Sequence, residues 1–302
     1  MYEQISRNKW VSAALVVFFV AFIFVLVWFF EYVTGWGKGG LVLAVAIAMG
    51  TAAIGYYASD KIVLGISKAR PVAKEEFPHL YHAVEGLAIA AGLPAPKCYV
   101  IDDTAPNAFA AGRKPETAVI CVTTGLLEKL DRVELEGVVA HEMSHIRNYD
   151  VRLQTLVVVM AGVVALLSDW MLRSFMWGGG GGRRRGRGKG GSGGGEGILV
   201  LVGLALAVLS PFIATIIQLA VSRKREFLAD ASAALLTRYP AGLASALRKI
   251  SADPEPLEAA NKATAHLYIV NPLKNLKGGG GMNKLFSTHP PIEERIAALE
   301  KM

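Results

Sequence analysis

Charge is scarce in this chain, and so is cysteine. Of 302 residues only 19% are charged, 53% are hydrophobic, and the mean hydropathy is +0.39. An ordinary soluble domain carries about 25% charge, so much of this chain belongs in lipid or in a very large core. The charge that is present is lopsided, 32 Lys and Arg against 25 Asp and Glu, for a net +7. In so apolar a chain that excess marks cytoplasmic loops of a membrane protein rather than a nucleic-acid surface. The two cysteines, Cys98 and Cys121, each sit inside an apolar run. They read as small core residues of a reducing compartment and argue against a disulfide or a thiolate metal site. No internal repeat is visible.

What is present is a set of long apolar runs. Trp10 to Phe30 is a 21-residue stretch without a charge, between Lys9 and Glu31. At about 1.5 Å per residue it spans roughly 30 Å, the thickness of a bilayer core. It is too long for a signal peptide, and no small-residue cleavage site follows it. A second charge-free run, 39–59, returns the chain to its starting side, so residues 1–59 are expected to form a transmembrane hairpin. Leu153 to Ser168 and Ile198 to Ser222 are two further runs, the latter expected to kink at Pro211. Between them residues 178–197 are nearly all glycine, broken by Arg183, Arg184, Arg185, Arg187 and Lys189. An RNA-binding segment is one reading; a disordered connector is the better one.

Residues 60–152 and 223–302 have the composition of a soluble domain. Phe77 to Ala91 has helical periodicity and stops at Gly92-Leu93-Pro94. His79 and His82 lie three apart on it, but with no third donor nearby they read as surface residues. Lys97 to Ile101 and Thr117 to Thr124 are β-branched and apolar, hence strands. Between them lies the small, weakly charged stretch Pro106 to Gly112, with turn residues at both ends. Asp131 and Glu134 have the spacing of a capping box, which starts a helix near Arg132. Ala231 to Leu236 and Ile292 to Leu299 are further helical runs.

The helix beginning near Arg132 carries His141-Glu142-Met143-Ser144-His145. Histidines four apart share a helix face and can bind one metal ion, while the glutamate beside that face can reach a metal-activated water without ligating the metal. This H-E-x-x-H arrangement is that of a zinc peptidase. A catalytic zinc takes three protein ligands, so one donor must come from elsewhere. The candidates are His266, His289 and the carboxylates after the last apolar run. Glu226 and Asp230 lie four apart, so one can bind the metal while the other holds a ligand imidazole in its tautomer.

These residues resemble the HtpX-type membrane zinc metallopeptidases, relatives of the CAAX prenyl proteases. The resemblance runs through His141 to His145 with Asn148 and Asp150 behind it, and through Glu226 with Asp230. It continues in Asn107-Ala108-Phe109-Ala110, Thr264 to Pro272 and Thr288-His289-Pro290-Pro291, together with the two-plus-two arrangement of apolar runs. It covers nearly the whole chain; the long arginine-glycine linker is its least typical feature. It implies a mainly α membrane protein with an α+β zincin-like metallopeptidase domain and about four membrane segments. It also implies one Zn²⁺ per chain held by His141, His145 and Glu226, with Glu142 as general base and Asp230 supporting a ligand. Asn107 and His289 are then expected to line the cleft beside the scissile group. The strand-like piece Ala108 to Ala111 is expected to pair with an extended substrate chain.

The implied partners are membrane-protein substrates and the lipid bilayer, with no nucleic acid. The implied location is a prokaryotic plasma membrane, multi-pass, with the catalytic domain cytoplasmic, which the basic residues flanking the runs on that side support. The basic linker contradicts a simple crossing, so the 153–222 hairpin either crosses against the rule or dips into the membrane and returns. Two alternatives remain from sequence: a CAAX-type processing protease, and a non-enzymatic membrane scaffold. Labelling a Ser192→Cys variant from either side of the membrane separates the two topologies. A crossing hairpin places the label on the side opposite the active site, and a re-entrant one on the same side.

Overall fold

The computed structural model describes residues 2–34, 42, 46, 50, 53–162, 223–261, 264–272 and 290–302. The linker 178–197, the run 198–222 with Pro211, and His289 therefore lie outside the described residues, as does most of the run 39–59. What is described is mostly helical with one small sheet.

Helix α1 (Tyr2–Thr34) runs through the first apolar stretch without a break. Its Ile5–Phe22 window is long and apolar enough to cross a membrane by length and composition. One stripe of this helix, Asn8, Ser12, Leu15 and Phe19, is buried, while Trp10, Val17 and Phe18 are more than half exposed. The spacing of four, three and four residues is that of one helix face packed on protein, leaving the other face for lipid. Helix α2 (Ser59–Ile66) then leads into the soluble part.

The sheet has the order β1-β2-β4-β3, from β1 (Arg70–Pro71), β2 (Lys97–Ile101), β3 (Ala108–Ala111) and β4 (Val119–Thr123). β2 and β4 run parallel; β1 and β3 are antiparallel to their neighbours. The strands expected at 97–101 and within 117–124 are both present. The stretch between Pro106 and Gly112 is itself a strand, buried along its whole length. Period-two alternation divides the sheet residues between two cores. Ala108, Ala110, Ile120 and Val122 face one cluster, with α3 (Pro78–Ala91) and the long helix α5 (Arg132–Arg147), which follows the short α4 (Thr124–Lys129). Phe109, Ala111, Val119 and Cys121 face the other, with Leu267 and Tyr268. Both cysteines are free and buried, as their apolar surroundings led one to expect.

α6 (Arg223–Thr237) and α7 (Pro240–Ala252) pack on α5, and α8 (Ile292–Leu299) packs on those two. Residues 150–162 are helical too. Leu153, Leu156, Val157 and Val158, at the start of the third apolar run, are buried against protein. Val158 joins the cluster of Phe109, Cys121 and Tyr268.

α5 and α7 approach closely at Gly137, where a Cβ would stand 2.8 Å from the Leu243 backbone nitrogen. In an open helix Gly→Ala is worth roughly 1 kcal/mol of stabilisation. Here the neighbour is backbone and cannot yield, so Gly137→Ala is expected to destabilise by about 1–3 kcal/mol. A raised or unchanged melting temperature in detergent contradicts this packing.

Candidate metal centre

α5 starts on the capping box read from the sequence. Asp131 Oδ1 accepts from the Glu134 amide and Glu134 Oε2 accepts from the Asp131 amide, each at 2.9 Å. Its third and fourth turns carry His141, Glu142 and His145, all buried. The two imidazoles face each other with their Nε2 atoms 3.2 Å apart. Glu226, from the first turn of α6, brings Oε2 to 3.7 Å from His141 Nε2 and Oε1 to 3.6 Å from His145 Nε2. Among the described residues this is the group of three donors gathered closely enough to hold one metal ion.

The far side of each ring explains why the lone pairs converge. His141 Nδ1 lies 2.9 Å from Asp230 Oδ1, and His145 Nδ1 lies 3.1 Å from Asp150 Oδ2. A carboxylate at Nδ1 fixes the proton there, which leaves Nε2 as the bare acceptor. With both rings neutral, two Nε2 lone pairs and a carboxylate point at one spot, an arrangement a cation satisfies. Donors on a tetrahedral cation with bonds of about 2.0–2.2 Å stand roughly 3.3–3.6 Å apart. The separations here match that, so these residues fit a zinc-sized ion.

Asp230 thus stands behind the His141 ring, at its Nδ1. Asp150, part of the sequence resemblance but given no role, supports the other ring. It reaches back because Tyr149 takes a left-handed turn, φ 60°, just after α5 ends. The larger omission is Arg295 on α8, fully buried although arginine is rarely so. Its Nε and Nη2 grip both oxygens of Asp230, at 2.8 and 2.7 Å. Nη2 also lies 3.4 Å from His141 Nδ1 and 3.5 Å from its Nε2, hence against the ring rather than along either lone pair. Nη1 stands 3.6 Å from Glu226 Oε2. The sequence signal was faint, one arginine in an otherwise ordinary amphipathic helix.

Burial pushes the Glu142 carboxyl up to about 7, with the Glu226 charge adding to this and His145 and the Ala110 amide opposing it. Burial alone would raise Asp230 as well, but the Arg295 charge and hydrogen bonds hold it at about 2. The rings differ in direction. Burial and the Arg295 charge lower His141, whereas at His145 the Asp150 hydrogen bond and the carboxylates outweigh burial and raise it to about 9. With Nε2 atoms 3.2 Å apart the two rings share at most one ε-proton, held by His145 in the metal-free site and given up when a cation binds.

Asn107 is buried but is not placed as an open cleft residue. Its Nδ2 donates to the Val270 carbonyl at 2.9 Å, and its Oδ1 accepts from the Ala108 amide at 3.1 Å. The outer edge of β3 is likewise engaged. Ile269 N donates to Ala108 O at 2.9 Å, and the Ala110 amide hydrogen-bonds Glu142. Arg295 Nη1 donates to Ile269 O at 2.9 Å. The strand edge expected to pair with an extended chain thus already carries Ile269 and, through Asn107, Val270 of this one. Of the other candidates, His266 packs its Nε2 3.3 Å from the Gln154 carbonyl and is not in the donor group, and His289 lies outside the described residues.

Residues 74–302 match peptidase family M48. The chain is 50% identical to the protease HtpX homolog of Dictyoglomus thermophilum, across all of this chain and 94% of that one. It is 44% identical to the protease HtpX homolog of Thermoanaerobacter pseudethanolicus, across all of this chain and 98% of the relative. The protease HtpX homolog of Listeria innocua is 46% identical across the whole of both chains. The crystal structure of S. mikatae Ste24p is more distant: 21% identical, TM-score 0.43, covering 91% of this chain and 67% of that one.

The Asp230–Arg295 pair sets two expectations. Removing the guanidinium, Arg295→Met, leaves a buried carboxylate uncompensated and is expected to cost about 3–5 kcal/mol of stability. The folded Asp230 pKa lies below its ordinary 3.8, so its contribution is present above that value and is lost as pH falls towards about 2. Asp230→Asn should therefore flatten the acid-unfolding curve below about pH 4, while weakening metal affinity 10–100-fold. Unchanged affinity by chelator competition contradicts the support role.

Proposed function

The chain belongs to peptidase family M48, and on that footing we propose a membrane-embedded zinc endopeptidase whose site opens on the cytoplasmic side. Its proposed substrates are misfolded or damaged membrane proteins. That it is a membrane-associated metalloprotease follows from the family and its HtpX relatives. The choice of zinc rests on one observation, the convergence of His141 Nε2, His145 Nε2 and Glu226 on one buried spot. Two imidazoles and a carboxylate are the donor set of catalytic zinc in peptidases, although cobalt and manganese use the same donors.

His141, His145 and Glu226 hold the ion, and Asp230 and Asp150 hold the rings. The bound ion supplies Lewis-acid activation of a water and of the scissile carbonyl. Glu142 accepts the proton from the attacking water and afterwards delivers it to the leaving amine nitrogen. Burial raises the Glu142 carboxyl while a cation bound beside it would lower it again, so the residue can both take and return a proton. Arg295 balances the Glu226 and Asp230 charges, and its side chain, fixed by three partners, does not need to move. His289 is assigned to the developing oxyanion and Asn107 to the substrate backbone, on the resemblance alone. If Asn107 and the Ala108 carbonyl grip substrate main chain, the peptide takes the place that Ile269 and Val270 hold, so that segment must shift as substrate enters.

The proposed topology is a transmembrane hairpin, 1–59, and a second apolar hairpin, 153–222, separating the two halves of the catalytic domain. Four segments in all are supported by the apolar runs, and the cytoplasmic placement by the basic residues beside them.

Glu142→Gln keeps size and hydrogen bonding but cannot take a proton. It is expected to lose at least about 10²-fold in proteolysis of a membrane-protein substrate in detergent while still binding one zinc per chain. Full activity in this variant contradicts the mechanism. Equal cleavage of soluble unfolded and membrane-inserted substrates contradicts the proposed substrate class.

A further inference from the structure

The buttress behind His145 does not end at Asp150. Asp150 accepts on Oδ2 from His145, and its other oxygen, Oδ1, accepts from Asn8 Nδ2 at 2.7 Å. Asn8 is the first residue of the buried stripe of α1 and lies two positions before the charge-free run that starts at Trp10. The same Nδ2 donates to the Asn148 carbonyl at 2.9 Å, in the turn that closes α5. Asn8 Oδ1 in turn accepts from Arg225 Nη1 at 3.4 Å, and Arg225 Nε stands 3.6 Å from Asp150 Oδ1. One residue further along α1, the Lys9 ammonium lies 4.3 Å from the centre of the Tyr149 ring, across the left-handed turn that carries Asp150.

Three stretches far apart in sequence thus meet on one carboxylate: the membrane end of α1, the turn after α5, and the residue immediately before Glu226. A carboxylate with one oxygen on a ligand imidazole and the other on a fixed amide cannot rotate without breaking a charge-assisted bond. We propose that Asn8 is a positioning residue of the metal centre, and that the first membrane helix is thereby a structural part of the site rather than only an anchor. The chain of contacts runs Asn8, Asp150, His145, then the metal position; loosening its outer end lets the His145 ring turn away from its partners. Outer hydrogen-bond partners of this kind typically change metal affinity 10–100-fold.

This rests on the metal site proposed above, so the test reads metal binding directly. Full-length wild type, Asn8→Ala, Asn8→Asp and Trp10→Ala are purified in detergent, and zinc affinity is measured by chelator competition. Cobalt spectra and melting temperatures are recorded alongside. Asn8→Ala is expected to lose about 10-fold in zinc affinity. Asn8→Asp has the same size, so packing is kept, but it sets a carboxylate oxygen against Asp150; it should lose more and alter the cobalt spectrum. Trp10→Ala, on the exposed face of α1, should match wild type in both readouts. Wild-type affinity and spectrum in both Asn8 variants overturn the proposal. So does an affinity loss in Trp10→Ala equal to that in Asn8→Ala, because the effect then belongs to α1 as a whole. If wild type itself binds no zinc, or His141→Ala leaves its affinity unchanged, the metal site fails instead, a result distinct from either.

Discussion

Two carboxylate–imidazole hydrogen bonds, Asp230 to His141 and Asp150 to His145, decide what this site is. Each fixes a proton on Nδ1 and turns the Nε2 lone pair inward. Without them two histidines four apart on a helix are ordinary core residues. With them the two Nε2 atoms stand 3.2 Å apart and the Glu226 carboxylate converges on the same spot, which three donors of one metal ion share. The surrounding architecture supports this arrangement. α6 returns to α5 carrying both Glu226 and Asp230 on one face, α8 inserts Arg295 behind them, and the turn at Tyr149 swings Asp150 back under the helix.

The cost of that cluster is the desolvation of several charges, large unless each is paired. The pairing is nearly complete. Asp230 and Glu226 lie against the Arg295 guanidinium and Asp150 against Arg225, and a divalent cation would balance what remains. Glu142 is buried as well, with the Ala110 amide of β3 on its carboxylate. The same closeness bears on access. The edge of β3 and the Asn107 amide already hold Ile269 and Val270, and Ile269 is tied in turn to Arg295, so this segment and the electrostatics of the site share one side chain.

Much of this was legible in the sequence, because the signals were local. The i, i+4 spacing of His141 and His145, the capping box at Asp131 and the Glu226–Asp230 spacing each depend on a few residues of one helix, and each is found as read. What was hidden depended on tertiary contact. Arg295 looks like the polar face of α8 until the helix is seen docked with that face inward. Asp150 follows a turn that needs positive φ at a tyrosine, which residue type does not announce. Asn8 looks like the polar flank of a membrane run, and the apolar run from Leu153 does not announce which of its residues pack on protein. Apolar composition alone does not distinguish lipid from protein as the burying phase. For Asn107 the expectation of a cleft residue meets a side chain spent on Val270, a difference only the fold reveals.

The most direct measurement is X-ray absorption at the zinc edge on the full-length protein. A centre built from His141, His145 and Glu226 predicts two imidazole scatterers and oxygen neighbours at about 2.0–2.2 Å, with no sulfur near 2.3 Å. One imidazole or none, or a sulfur shell, would contradict the site on which this account rests.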